Sequence, residues 1–174
     1  MRDDSNVRYG TVSRCLHWGM ALLLGWQMLK FFDRINDGEH WVGQTLVSWH
    51  VSIGTLLLVL IVLRIVWANL QRNHRPAQDP ATATLVKIGH FLLYACMAIL
   101  PIAGIMILIG NGYGLTAFGV PLVAGGEKIE WMANLGGAVH SPLAWVLLVM
   151  VIGHIGIALV HHFMKRDGVL QRML

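Results

Sequence analysis

The chain has 174 residues, 56% of them hydrophobic and only 13% charged, with a formal net charge of +4. A soluble domain of this length cannot bury so much apolar side chain, which excludes a water-soluble enzyme and leaves lipid as the second solvent. The basic balance does not point to nucleic acid, because most of the Lys and Arg fall where membrane topology alone puts them.

A bilayer core of ~30 Å needs ~20 predominantly apolar residues per helix, and the sequence offers four such stretches. The first covers residues 15–32. Arg2, Arg8 and Arg14 precede it as in an export signal, but it lacks a small-residue cleavage site and contains His17, Trp18 and Gln27, so it reads as a retained helix. A charged loop over 33–46 leads to the second stretch, 47–68. A linker with Pro76 and Pro80 leads to the third, 85–109, and a Gly-rich loop over 110–136 leads to the fourth, 137–164. With no internal repeat or low-complexity segment, residues 1–174 read as a single all-α domain, an integral membrane four-helix bundle.

Orientation follows from the basic residues, which short loops keep on the cytoplasmic side. Ten of the thirteen (Arg2, Arg8, Arg14, Arg64, Arg72, Arg75, Lys87, Lys165, Arg166 and Arg172) share the side of the termini. Lys30, Arg34 and Lys128 make up the other three. Both termini are therefore expected in the cytoplasm. The two cysteines, Cys15 and Cys96, fall inside predicted helices, and no Cys-x-x-Cys-His motif occurs, which excludes covalent c-type haem. They read as small core residues.

Nine histidines are present, and those inside spans are functional candidates, since an ionisable group there is costly without a partner. His17 lies in the first span, His50 opens the second, His90 opens the third, and His140 and His154 share the fourth. Measured from the outer ends near residues 33 and 137 at ~1.5 Å per residue, His17 and His154 lie ~24–26 Å deep and His50 and His140 ~4–5 Å deep. Depth sorts these four into two level pairs. His90, at ~30 Å, and His161 and His162, at ~36 Å or more, match neither level. Azimuth gives a second test: His140 and His154 are just under four helical turns apart, so one helix projects both from nearly the same face, ~21 Å apart.

One histidine in a span is more often a hydrogen-bonded core residue than a ligand, but four matched in depth form a set. Two imidazoles facing one another suit iron in a porphyrin plane, whereas zinc usually takes three or four protein ligands. The expected cofactors are two haem b groups, with His17 and His154 as iron ligands on the cytoplasmic side and His50 and His140 on the other. Arg64 follows His50 by the same 14 residues that separate His140 from His154. It is placed either to meet a haem propionate or to snorkel to the inner headgroups. Gly54, Gly137, Gly153 and Gly156 lie beside the histidines, where they allow a flat macrocycle to approach or simply pack helices.

The segments RCLHWGMALL, SWHVSIGTLLLVLIVLRIVW, KIGHFLLYACMAILPIAG and GHIGIALVHHFMKRDGVLQRM together resemble the bacterial cytochrome b561 family across nearly the whole chain. That family comprises small diheme membrane cytochromes and includes superoxide:ubiquinone oxidoreductase. The resemblance implies the same ligand pairs, a multi-pass place in the bacterial inner membrane, and ubiquinone as substrate. It also implies counterparts of His90, His161 and His162 near the cytoplasmic face, where they meet a quinone headgroup, cap helix ends or bind propionates.

Three functional classes follow. The first is an enzyme oxidising superoxide on the periplasmic side and reducing ubiquinone, which the resemblance favours. A cationic approach for the anion is expected there, yet Lys30, Arg34 and Lys128 have Asp33, Asp37, Glu39, Glu127 and Glu130 as neighbours. The second is an electron-transfer subunit linking quinone to a separate dehydrogenase or hydrogenase, with Trp41, Phe118, Val120 and Trp131 offering a docking surface or an ordinary aromatic belt. The third is a membrane module whose histidines bind metal or protons without redox work.

Overall fold

The structure, a computed structural model, describes residues 3–34, 40–77 and 79–174, with side chains described outside 32–34. Helix α1 spans Thr11–Met28 and runs into a 3-10 turn, Leu29–Arg34. Short helical turns over Val42–Leu46 and Val47–Trp49 lead directly into α2, His50–Leu70. Helix α3 covers Ala83–Gly110, and α4 covers Glu130–Val160 with a further turn over His161–Lys165. Among the described residues, three stretches are long and apolar enough to cross a bilayer: Val42–Leu70, Ala83–Gly110 and Glu130–Lys165. Helix α1 is the fourth helix, its apolar character diluted by Arg14, His17 and Gln27.

The distribution of side chains is inverted relative to a soluble bundle. A small interior cluster joins Met20, Ile53, Leu57 and Ile61. Val59, Val62 and Val66 of α2 and Val149, Ile152 and Ile157 of α4 face outward. A continuous apolar exterior of this kind is stable only against lipid.

Helix α4 begins seven residues before the start expected from sequence. Residues 130–136 read as loop by composition, but Gly136 is buried in a helix seam, where a β-carbon would fall 2.7 Å from the Ala103 carbonyl oxygen. At Gly110 a β-carbon would lie 2.3 Å from the Ala133 nitrogen. Glycine at these two positions lets α3 and α4 approach backbone to backbone, as small residues do in membrane bundles. The Ile129 amide donates to the Gly110 carbonyl at 2.8 Å, so the end of α3 is level with the start of α4.

The Gly-rich connection is also more ordered than a loop, which amends the all-α expectation. Strands β1, Leu115–Ala117, and β2, Val120–Val123, pair antiparallel with Ala117 opposite Val120. Phe118 and Gly119 turn the hairpin at φ 51° and 78°, the two positive values that a tight two-residue hairpin turn requires. The Phe118 amide donates to Ser52 Oγ at 2.9 Å, holding the hairpin against the start of α2.

The two chain ends meet at the opposite end of the bundle. Buried Asp4 accepts from the Gly10 amide at 2.7 Å and Ser13 Oγ at 2.6 Å, with Arg75 Nε 3.5 Å away. The Tyr9 amide donates to the Arg172 carbonyl at 3.1 Å, and Trp18 Nε1 donates to the Met173 carbonyl at 2.9 Å. Cys96 is buried, as expected, but Cys15 is exposed on the outer side of α1 and is not a core residue.

Candidate functional site

At the hairpin end, His50 and His140 face each other with ring centroids 6.0 Å apart and planes crossed at 82°. His140 lies ten residues into α4 and Leu100 ten residues before the end of α3. Because the end of α3 is level with the start of α4, the two residues meet, and His140 Nδ1 lies 2.9 Å from the Leu100 carbonyl oxygen. A carbonyl only accepts, so Nδ1 carries the proton and Nε2 keeps its lone pair, the tautomer a metal ligand needs. Gly104 makes room for this ring: a β-carbon there would lie 3.1 Å from Cε1 and 3.3 Å from Nδ1. Sequence reading passed over Gly104; its place one turn after Leu100 becomes informative only once α3 and α4 are in register.

At the termini end, His17 and His154 stand with centroids 6.3 Å apart and planes at 61°. Arg64 reaches this level. Its Nη2 lies 3.0 Å from His17 Nδ1, its Nε donates to Tyr94 Oη at 3.1 Å, and its guanidinium sits 5.6 Å from the Tyr94 ring centroid. Trp18 packs edge-on against His17 at 5.2 Å. A guanidinium has no acceptor, so it donates and His17 Nδ1 accepts, which places the ring proton on Nε2; a metal held through Nε2 would require this contact to open, freeing Arg64 for another anion or acceptor. The two pairs therefore differ: His140 already has the ligand tautomer, and His17 does not.

His90 is closer to this pair than its counted depth suggests, with its centroid 5.6 Å from that of His154 and its Nδ1 donating to the Val86 carbonyl at 2.7 Å. Depth counting does not predict this contact: counted from Glu130, His154 lies ~36 Å down its helix, against ~30 Å for His90 counted from Gly110. His161 and His162 sit in the turn past α4. His161 Nδ1 pairs with Asp167 Oδ2 at 2.5 Å, and His162 Nδ1 lies 3.1 Å from Gln171 Nε2.

The glycines near the histidines divide into two kinds. A β-carbon at Gly54 would sit 3.1 Å from Gln27 Nε2, whereas at Gly137, Gly153 or Gly156 it would meet nothing. On the hairpin end, Lys128 lies 3.9 Å from Glu130, and Trp41, Phe118, Val120 and Trp131 are exposed. The side chain of Arg34 and residues Asp37 and Glu39 fall outside the described set.

Both pairs have the spacing of a metal bound between two imidazoles. A metal–imidazole bond of about 2 Å, with ~1 Å from nitrogen to ring centroid, sets two opposed ligands about 6 Å apart centroid to centroid. The observed separations are 6.0 and 6.3 Å. Among the described residues, no group of three or more His, Cys, Asp or Glu is arranged to hold a metal ion, so pairs are what the chain offers. Beside His50 and His140 lies a cavity of about 370 Å³ with largely apolar walls.

Residues 8–174 match the prokaryotic cytochrome b561 family. The chain belongs to that family. It is 32% identical to cytochrome b561 homolog 2 of Escherichia coli K12 over 180 residues, covering 96% of this chain and 91% of that protein. It is 28% identical to a probable superoxide oxidase, CybB, of Yersinia pestis, covering 96% of each. Cytochrome b561 homolog 1 of Escherichia coli K12 is 26% identical over 72% of each chain. As a prokaryotic cytochrome b561, this chain is a multi-pass membrane electron-transfer protein of a family that binds b-type haem, and the paired imidazoles are residues that could hold such a group.

Proposed function

We propose that this cytochrome b561 holds two b-type haems, one between His50 and His140 and one between His17 and His154, and carries electrons across the bacterial inner membrane to ubiquinone. The observation that supports this most directly is the crossing of two histidine pairs at about 6 Å, with α4 contributing to both. Fourteen residues along α4 separate its two ligands by ~21 Å, which spreads the sites over most of a bilayer core. Bound haem supplies reversible one-electron exchange at each level. The protein orients the imidazoles, excludes water with its apolar walls and places cations near each site. Arg64 is the cation for a propionate at the inner level, and both termini lie in the cytoplasm, with ten of the thirteen basic residues.

The donor we propose is superoxide, as the name of the Yersinia relative suggests. Two superoxide anions each give up one electron and leave as dioxygen. The two electrons and two protons convert one ubiquinone to ubiquinol. His90, His161 and His162, at the termini end, are the candidate groups near the quinone. A second reading, a cytochrome subunit docking a separate dehydrogenase or hydrogenase, is favoured by the exposed Trp41, Phe118, Val120 and Trp131 at the hairpin end.

Purification followed by a pyridine haemochrome assay tests the site assignment: two haems per chain are expected, and colourless protein ends the proposal. Stopped-flow mixing with superoxide and a soluble ubiquinone analogue tests the activity. Rapid quinone reduction by the chain alone supports the enzyme, whereas inactivity together with stoichiometric recovery of a dehydrogenase supports the subunit.

A further inference from the structure

The cavity beside His50 and His140 is lined by carbon from all four helices, and its polar lining beyond the two histidines comes from Gln27, Lys30 and Ser141. These three differ in what they offer an anion. Gln27 donates its amide to the His50 carbonyl at 2.9 Å, while its Oε1 is buried without a hydrogen-bond partner. Its one free polar atom is an acceptor, which offers a carboxylate no hydrogen bond. Ser141 brings one hydroxyl and no charge. Among the described residues of the lining, Lys30 is the one Lys or Arg.

A protoporphyrin macrocycle carries two carboxylates, and a carboxylate taken into a largely apolar cavity is costly unless it is paired or kept at the water edge. Lys30 satisfies both conditions. It is exposed, in the 3-10 turn that follows α1, so its flexible stem can lie along the apolar wall while the ammonium stays at the rim. We infer that Lys30 binds a propionate of the macrocycle held by His50 and His140, setting its carboxylate edge toward the Leu29–Arg34 end of the bundle. The inference rests on the diheme reading and adds a residue and an orientation to the outer site.

The test uses the purified holoprotein and its Lys30→Gln, Lys30→Glu and Lys30→Arg variants, followed by spectroelectrochemical titration. The outer haem is identified as the component missing from His140→Ala. Removing a cation beside a propionate favours the ferric state. Lys30→Gln should therefore shift the outer couple about tenfold toward ferric, equivalent to about 59 mV for one electron. Lys30→Glu should shift it further, Lys30→Arg should match the wild type, and the inner couple should not move.

Loss of the outer haem from Lys30→Gln with retention in Lys30→Arg supports the same role. An unmoved outer couple in Lys30→Gln overturns the inference, as does an equal shift of both haems, or failure of Lys30→Arg to restore what Lys30→Gln loses. A wild-type protein lacking two haems defeats the diheme reading itself, before the variants are measured.

Discussion

His140 Nδ1 lies 2.9 Å from the carbonyl oxygen of Leu100, and this bond across the α3–α4 seam fixes both the direction and the tautomer of the ring. It depends on the space above Gly104, where a β-carbon would stand 3.1 Å from the imidazole. Gly104→Ala should be tolerated, because the ring has only to yield a few tenths of an ångström. Gly104→Val places a branched group in the same space and should release the ring, forfeiting about 0.5–1.5 kcal/mol of hydrogen bonding and the ligand direction with it. Haem per chain is the readout: near wild type for the alanine variant and one haem fewer for valine, with helicity unchanged. Full haem content in Gly104→Val would show that Leu100 does not orient the ligand.

The two pairs should be separable by single substitutions. His140→Ala is expected to remove only the outer haem and His17→Ala only the inner one, because the ligands on α4 are ~21 Å apart. Each variant should retain half the haemochrome absorbance and one of two resolved reduction steps. Complete loss of haem from either variant, with folding intact, would contradict independent sites.

Much of this arrangement is legible in the sequence because membrane helices are regular rulers. The 14-residue interval between His140 and His154, and its repetition between His50 and Arg64, depend only on helix geometry. What counting could not supply was contact. Gly136 reads as a loop residue by composition, and only the backbone of Ala103 shows that it belongs to a helix held at close range. The approach of His90 to His154, 5.6 Å centroid to centroid, is likewise invisible to counted depth. Arg64 was placed at the correct level by spacing, but its bond to Tyr94 joins residues 30 positions apart and leaves no periodic trace.

Arg64 provides the third test. Its guanidinium donates to Tyr94 Oη, and with haem bound through His17 Nε2 it would leave His17 Nδ1 and meet a propionate. Hydrogen bonds to a charged group contribute about 1.5–3 kcal/mol, against about 0.5–1.5 kcal/mol for neutral ones. Arg64→Met should therefore loosen the inner site more than Tyr94→Phe, and Arg64→Lys should fall between them, since a single ammonium cannot reproduce the fork. Thermal release of haem, followed in the visible band of the inner site, should show that order. Equal behaviour of Arg64→Met and wild type would indicate that the arginine only snorkels to the headgroups.

The last contact responds to acid. His161 Nδ1 donates to Asp167 Oδ2 at 2.5 Å, and this bond, chiefly, holds the Asp167 carboxyl below its ordinary value of 3.8. A carboxyl with a lowered folded value stabilises the fold above its unfolded value and loses that contribution as the pH falls through the folded one. The sensitive window therefore lies below 3.8, and Asp167 should contribute no change between pH 5 and 7. Asp167 Oδ1 also accepts from the Val169 amide at 3.2 Å, so the same carboxylate organises the turn beyond α4. Amide exchange over residues 161–169, corrected for intrinsic rates, should stay slow from pH 7 to 5 and accelerate only in the acid window. Asp167→Asn should exchange faster than the wild type even at neutral pH, since an amide cannot replace the charge-assisted acceptor. Matching exchange in the two proteins at pH 7 would mean that water alone satisfies His161 and that the turn owes nothing to the pair.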